Sequence, residues 1–241
     1  MVYSGGILTP FHVAYHHATP HGVLSAVSLP DTSDPVPEEV LERLHPEEAV
    51  FARGLRGFRQ VQFVGGRLAL RAAAAQLGHQ PPAMLETLRG APLLPASLIG
   101  SVSHKRELAV ALVAPSLGDT IGVDLEEYGP PRMSILERVL TPAELEQVRA
   151  LPDDRAWLST ILRFSVKEAV YKALDPWVQR YVDFQEAAVY PDLEGRAEVS
   201  LDLSQREGPF QIEARYHWLA GRILTSVRIR PVALEPVVRT R

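Results

Sequence analysis

The chain has 241 residues, a formal net charge of -4, 46% hydrophobic and 22% charged residues, and no cysteine. That length can bury a core without covalent staples and suits one large domain or two small ones. The missing cysteine excludes disulfides, thiolate metal sites and cysteine nucleophiles, and a mildly acidic chain argues against nucleic acid as a partner.

The opening residues Met1 to Gly6 carry no basic segment followed by an apolar run, so no signal peptide is expected. No apolar stretch reaches membrane-spanning length, and the expected location is the cytoplasm. In chain order, residues 11–15 and 23–29 are short apolar runs bounded by Gly and Pro and predict strands. A short helix follows within 35–44. A long helical pattern then covers 46–77, with Pro46 tolerated in its first turn and Gly78 as its stop. Gly65-Gly66 interrupts that pattern at a cost of about 1 kcal/mol each relative to alanine. Either the helix breaks there or something packs closely against it.

A Pro-rich connector occupies 81–95, strands are predicted at 98–104 and 107–114, and 115–119 is a turn. This turn divides the chain into an N-terminal half, 1–118, and a C-terminal half, 119–241. The second half opens with a strand at 120–126 and continues with helices at 134–140, 142–151 and 154–174. Strands at 184–190, 197–203, 210–218 and 223–229 complete it. Thr141-Pro142-Ala143-Glu144 is a helix start, with Thr as cap, Pro at the first helical position and Glu at the third. Similar mixtures of helix and strand on both sides predict an α+β fold of two related halves.

Four constellations carry chemistry. In Ile121-Gly122-Val123-Asp124-Leu125-Glu126, strand alternation turns the apolar residues one way and Gly122, Asp124 and Glu126 the other. The two carboxylates then lie roughly 7 Å apart on one surface, and a cation between them would relieve their repulsion. Mg²⁺ suits such a place, because it prefers oxygen ligands and takes one or two carboxylates together with substrate phosphates. On the long helix, Trp157, Ile161, Phe164, Glu168 and Tyr171 form one stripe, in which Glu168 is the charged member and Lys172 follows one turn on.

Gly100-Ser101-Val102-Ser103-His104-Lys105 offers hydroxyl, imidazole and ammonium donors for phosphate. Neighbouring strand residues face opposite ways, so Ser103 and His104 are not expected to form a nucleophile–base pair. Arg53, Arg56, Arg59, Arg67 and Arg71 fall in a segment without acids, and Arg53, Arg56, Arg67 and Arg71 share a helical line with Gln60 and Val64. A basic patch on an acidic protein suggests a small anionic ligand. Each pattern by itself also fits a solvated surface.

The combination and order of these motifs is specific. Gly-Ser-Val-Ser-His at 100–104, Gly-Val-Asp-Leu-Glu at 122–126 and Phe-Ser-Val-Lys-Glu-Ala-Val-Tyr-Lys-Ala at 164–173 resemble the 4′-phosphopantetheinyl transferase superfamily. The match covers about residues 45–175 and is similar to the monomeric, two-lobed type serving peptide and polyketide synthetases or siderophore assembly. The resemblance implies two similar α+β halves with pseudo-two-fold symmetry and a ligand cleft between them. It implies a Mg²⁺-dependent enzyme moving the 4′-phosphopantetheine arm of coenzyme A to a serine of an apo acyl or peptidyl carrier protein.

By the same resemblance, Asp124, Glu126 and Glu168 would hold Mg²⁺ with the pyrophosphate, and Glu168 would activate the acceptor serine. Lys172 would hold the phosphate under attack. Ser103 and His104 would contact coenzyme A phosphates, and Arg53 and Arg67 would bind the nucleotide 3′-phosphate. The turn Gly90-Ala91-Pro92 lacks the basic residue common in the family, leaving Arg89 as the nearby cation. Without the resemblance, the same residues also fit a metal-dependent phosphohydrolase or nuclease, or a coenzyme-binding module with structural acids.

Overall fold

A computed structural model describes residues 9–219 and 221–232. The chain is α+β. In its first half, β1 (Val13–Thr19) and β2 (Gly22–Ser28) are followed by α1 (Glu38–Leu41), α2 (Pro46–Gly54), α3 (Gly57–Gln76), β3 (Leu98–Lys105) and β4 (Leu108–Pro115). The second half runs through β5 (Thr120–Glu127), α4 (Leu136–Val139), α5 (Pro142–Arg149), α6 (Asp153–Val178), β6 (Ala187–Pro191), β7 (Arg196–Leu201), β8 (Phe210–Leu219) and β9 (Arg222–Pro231). The strands form two antiparallel sheets, β1-β2-β4-β3 and β5-β9-β8-β7-β6. Among the described residues no helix is long and apolar enough to cross a membrane.

The two sheets stack on each other, and a long helix covers each outer face. β4 is buried on both faces: Ala109, Ala111 and Val113 meet α3, while Leu108, Val110 and Leu112 meet Ile121, Val123 and Leu125 of β5. This explains why β4 is a continuous apolar run rather than an alternating one. On the far side of β5, α6 packs through Val166, Ala169, Val170 and Ala173.

The long helical pattern at 46–77 breaks at Leu55-Arg56, and not at Gly65-Gly66. Gly57 begins the next helix with φ +56°, a left-handed conformation that glycine adopts without a Cβ penalty. Gly65 and Gly66 are instead the flat face of α3. A Cβ on Gly65 would lie 2.2 Å from Leu29 Cδ2, and one on Gly66 3.0 Å from Val102 Cγ1.

Other boundaries shift as well. The first strand begins at Val13 because Phe11 is left-handed, with φ 60°. Residues Phe184–Glu186 form a 3₁₀ turn capped by Asp183, so that strand starts at Ala187. α6 continues beyond the expected end at Leu174, taking Pro176 into its last turn, and stops at the left-handed Gln179.

Gly122 fixes the spacing of α6 on β5, since a Cβ there would come 1.8 Å from the Ala169 carbonyl oxygen. Gly122→Ala must push the helix off the strand. Urea denaturation is expected to show a loss of at least about 1–3 kcal/mol.

Candidate active site

The close approach of α6 to β5 builds the site around Asp124, which is only 4% exposed. Its Oδ1 accepts from Ser103 Oγ at 2.9 Å and from Lys172 Nζ at 2.8 Å, and its Oδ2 accepts from Ser165 Oγ at 2.9 Å. Ser103 belongs to the first half, and it also accepts the Leu125 amide at 3.2 Å. Lys172 donates further to the Val123 carbonyl at 3.0 Å. Ser101, two residues before Ser103, accepts the Val123 amide at 3.1 Å. The Ser-His strand of one half and the carboxylate strand of the other are therefore joined side chain to backbone.

Glu126 is buried and paired with Lys105 Nζ at 2.8 Å. Burial first, and then the Asp124 charge, pushes its carboxyl up to about 7. Glu168, half-buried on α6, is raised by the same two causes in the same order. Three acids thus share one poorly solvated region in which at least two are disfavoured as anions. Among the described residues no three acids or imidazoles converge into a complete ion cage. An oxygen-preferring divalent ion that takes most of its ligands from phosphate and water needs no such cage, so this donor set fits one.

A cavity of about 310 Å³ lies beside the acids, between α3, the 86–92 connector, β3 and the C-terminal part of α6. Lys172, bonded to Asp124, joins it to the carboxylates, and His104, Arg59, Arg67 and Arg89 also line it. Arg67 is 3% exposed, lies 4.3 Å over the Phe63 ring and donates to the Met84 and Leu85 carbonyls. Burial lowers its guanidinium to about 10. Arg89 bridges the halves, donating to Asp175 at 2.5 Å and to the Arg180 carbonyl at 2.9 Å.

The expected arginine line does not form, because the helix break separates its members. Arg53 lies on α2, outside the cavity lining, ion-paired with Glu38. Arg56 folds back onto the Arg53 and Leu55 carbonyls, and Arg71 is held by Glu48 at 2.9 Å. The acids missing from this stretch of sequence arrive from other elements. Ser103, expected to contact phosphate, is turned behind Asp124, and Ser101 lines the cavity in its place.

A model of the 4′-phosphopantetheinyl transferase superfamily matches residues 120–227, and a model of the 4′-phosphopantetheinyl transferase N-terminal domain matches residues 47–114. The chain belongs to the 4′-phosphopantetheinyl transferase superfamily. It is 34% identical over 177 residues to the 4′-phosphopantetheinyl transferase Npt of Nocardia iowensis, covering 73% of this chain and 75% of that one. It is 35% identical over 162 residues to the transferase Svp of Streptomyces mobaraensis, covering 65% of each chain. With PptT of Mycobacterium tuberculosis it shares 29% identity over 193 residues, covering 76% of this chain and 84% of the relative. Among solved structures, the holo-(acyl-carrier-protein) synthase of Bacillus anthracis in complex with CoA (3′,5′-ADP) aligns at 21% identity with a TM-score of 0.39, over 46% of this chain and 96% of that one. The two family models and the curated relatives bear out the resemblance seen in the three motifs.

This transferase also uses its motif residues for the fold. Lys167, next to Glu168, points away from the cavity. It is fully buried and donates to the Val139 carbonyl at 2.8 Å, Glu144 Oε2 at 2.7 Å and the Phe184 carbonyl at 2.9 Å. Arg59, Glu86, Tyr171 and Asp175 line the cavity although the sequence did not assign them to the site. Tyr171 lay on the helical stripe and Arg59 in the basic run, so each had a partial signal. Glu86 sits in the aperiodic connector and had none.

Two measurements test this arrangement. Lys167→Ala leaves Glu144 buried without its ammonium, and urea unfolding is expected to show a loss of about 3–5 kcal/mol. The second concerns His104. Burial, with Lys172, Arg59 and Lys105 nearby, lowers its imidazole from 6.5 to about 4. Between those values the unfolded chain takes up a proton that the folded imidazole refuses, so the His104 contribution to stability falls as pH drops through that window. Glu126, raised to about 7, acts with the opposite sign over the same range. His104→Gln is therefore expected to gain stability relative to wild type as pH drops from neutrality to about 4, read as the difference in urea midpoints between the two proteins.

Proposed function

We propose that this cleft transfers the 4′-phosphopantetheine arm of coenzyme A to a serine hydroxyl of an apo carrier protein and releases 3′,5′-ADP. The observation that carries this reading is the meeting of an arginine-lined cavity with Lys172 and three crowded carboxylates. The cavity suits the nucleotide end of coenzyme A, with Arg59, Arg67 and Arg89 as the cations for its 3′-phosphate. Arg53, paired with Glu38 outside the cavity, is left out of this set. Lys172 is placed to hold the phosphate under attack, and neutral His104 to donate one hydrogen bond to the pyrophosphate.

Asp124, Glu126 and Glu168 would hold Mg²⁺. When bound, the ion supplies charge neutralisation for the pyrophosphate and its departing 3′,5′-ADP. Glu168 accepts the serine proton. The serine oxygen forms the new bond to the pantetheine-bearing phosphorus as the bond to the 3′,5′-ADP oxygen breaks. A carboxylate whose proton affinity is raised by burial is the better base for this step. Ser103 and Ser165 orient Asp124, and both Ser103 and His104 act from the opposite half. Because residues of both halves of one chain line the cleft, we assign the activity to a monomer acting on acyl or peptidyl carriers, and we place it in the cytoplasm.

Mass spectrometry of an apo carrier incubated with coenzyme A, Mg²⁺ and this protein should show addition of the arm. Coenzyme A hydrolysed without any carrier would instead mark a phosphohydrolase. Glu168→Gln is expected to lower the transfer rate by about 10²- to 10⁴-fold at saturating Mg²⁺. Recovery of the full rate on raising Mg²⁺ would reduce Glu168 to a metal ligand, and an unchanged rate throughout would remove it from the site.

A further inference from the structure

We propose that Glu86 is an internal competitor for the nucleotide 3′-phosphate, limiting how tightly the cleft holds coenzyme A and 3′,5′-ADP. The inference rests on the reading that this cavity takes the nucleotide end of coenzyme A. The lining has four cations, Arg59, Arg67, Arg89 and Lys172, against two acids, Glu86 and Asp175. Glu86 is the acid set among the arginines of α3. Its Oε2 accepts from Arg59 Nη2, and its Oε1 lies 3.5 Å from Arg67 Nη2. The side chain is 13% exposed, so this ion pair is better shielded than an ordinary surface pair.

The two arginines differ in freedom. Arg67 is tied to the Met84 and Leu85 carbonyls and cannot leave. Arg59 is 49% exposed and hydrogen-bonded to Glu86. The connector backbone on either side of Glu86 is itself fixed, through a bridge between Glu86 and Pro92 and the Leu93 amide bonded to the Leu85 carbonyl. The Glu86 side chain and Arg59 are therefore the parts that move. A phosphate arriving at this guanidinium pair meets a carboxylate already there, and it binds by partner exchange. The same contacts permit a scaffold role, in which Glu86 holds Arg59 and Arg67 in place for the ligand. The two roles predict opposite signs: removing a scaffold weakens binding, while removing a competitor strengthens it.

Calorimetry with 3′,5′-ADP and 5′-AMP on wild-type protein and Glu86→Gln separates them. The variant is expected to bind 3′,5′-ADP about tenfold more tightly, as expected when one like charge is taken from a shielded site. Affinity for 5′-AMP, which lacks the 3′-phosphate, should not change. In turnover, the KM for coenzyme A should fall with kcat unchanged or lower, because the product leaves more slowly. Arg59→Ala added to Glu86→Gln should abolish the gain, and Glu86→Asp, with its shorter reach to Arg59, should show part of it. Unchanged or weaker 3′,5′-ADP binding by Glu86→Gln overturns the inference while leaving the cleft assignment standing, as does equal tightening of 5′-AMP. Failure of the wild-type protein to bind 3′,5′-ADP overturns the cleft assignment and the inference with it.

Discussion

A single buried carboxylate ties this molecule together. Removing the Asp124 charge from water costs several kcal/mol unless hydrogen bonds and a counter-charge compensate it. Ser103, Ser165 and Lys172 supply that compensation from two distant elements of the chain. Ser103 stands on β3 in the first half, while Ser165 and Lys172 stand on α6 in the second. All three must come within hydrogen-bond distance of one side chain, so the halves and the helix have little freedom to slide. Gly122 makes this possible two residues earlier, because nothing larger would let α6 lie so close to β5.

The two faces of α6 solve the problem of buried charge differently. On the core side, Lys167 and Glu144 form a pair whose remaining hydrogen bonds are filled by the Val139 and Phe184 carbonyls, the Thr141 and Val189 amides and each other. Such a fully satisfied pair fixes α5, α6 and the start of β6 relative to one another. On the cleft side the carboxylates outnumber their local cations, and Glu126 and Glu168 are both pushed toward their protonated forms. Polar groups left under tension where a ligand can reach them are the usual mark of a functional site.

The cleft is also balanced internally along its length. Lys105 sits on Glu126, Lys172 on Asp124, Arg59 on Glu86 and Arg89 on Asp175. An anionic ligand therefore enters a region of paired charges rather than a bare basic groove, and its phosphates exchange one partner for another. Affinity in such a site is the difference between two similar interactions, which suits a transferase that must release an anionic product every cycle.

Much of this was legible in the sequence because it depends on local geometry. Strand alternation put Asp124 and Glu126 on one face of β5. Helical spacing aligned Glu168 with Lys172 on α6, and Thr141 to Glu144 spelled out a capping box that is present at α5. The order of the three motifs identified the family. The rest was decided by the tertiary structure, because it concerns which distant groups meet. A left-handed Gly57 divided one apparent helix into two and sent Arg53 away from the cleft. Glu38, Glu48 and Glu86 arrived to neutralise a stretch that looks purely basic along the chain. Adjacent Lys167 and Glu168 parted, one into the core and one toward the cleft, because neighbours on a helix point about 100° apart and only the packing around α6 says what lies in each direction. Periodicity records the direction of a side chain relative to its own element. The partner waiting there is set by closure of the whole fold.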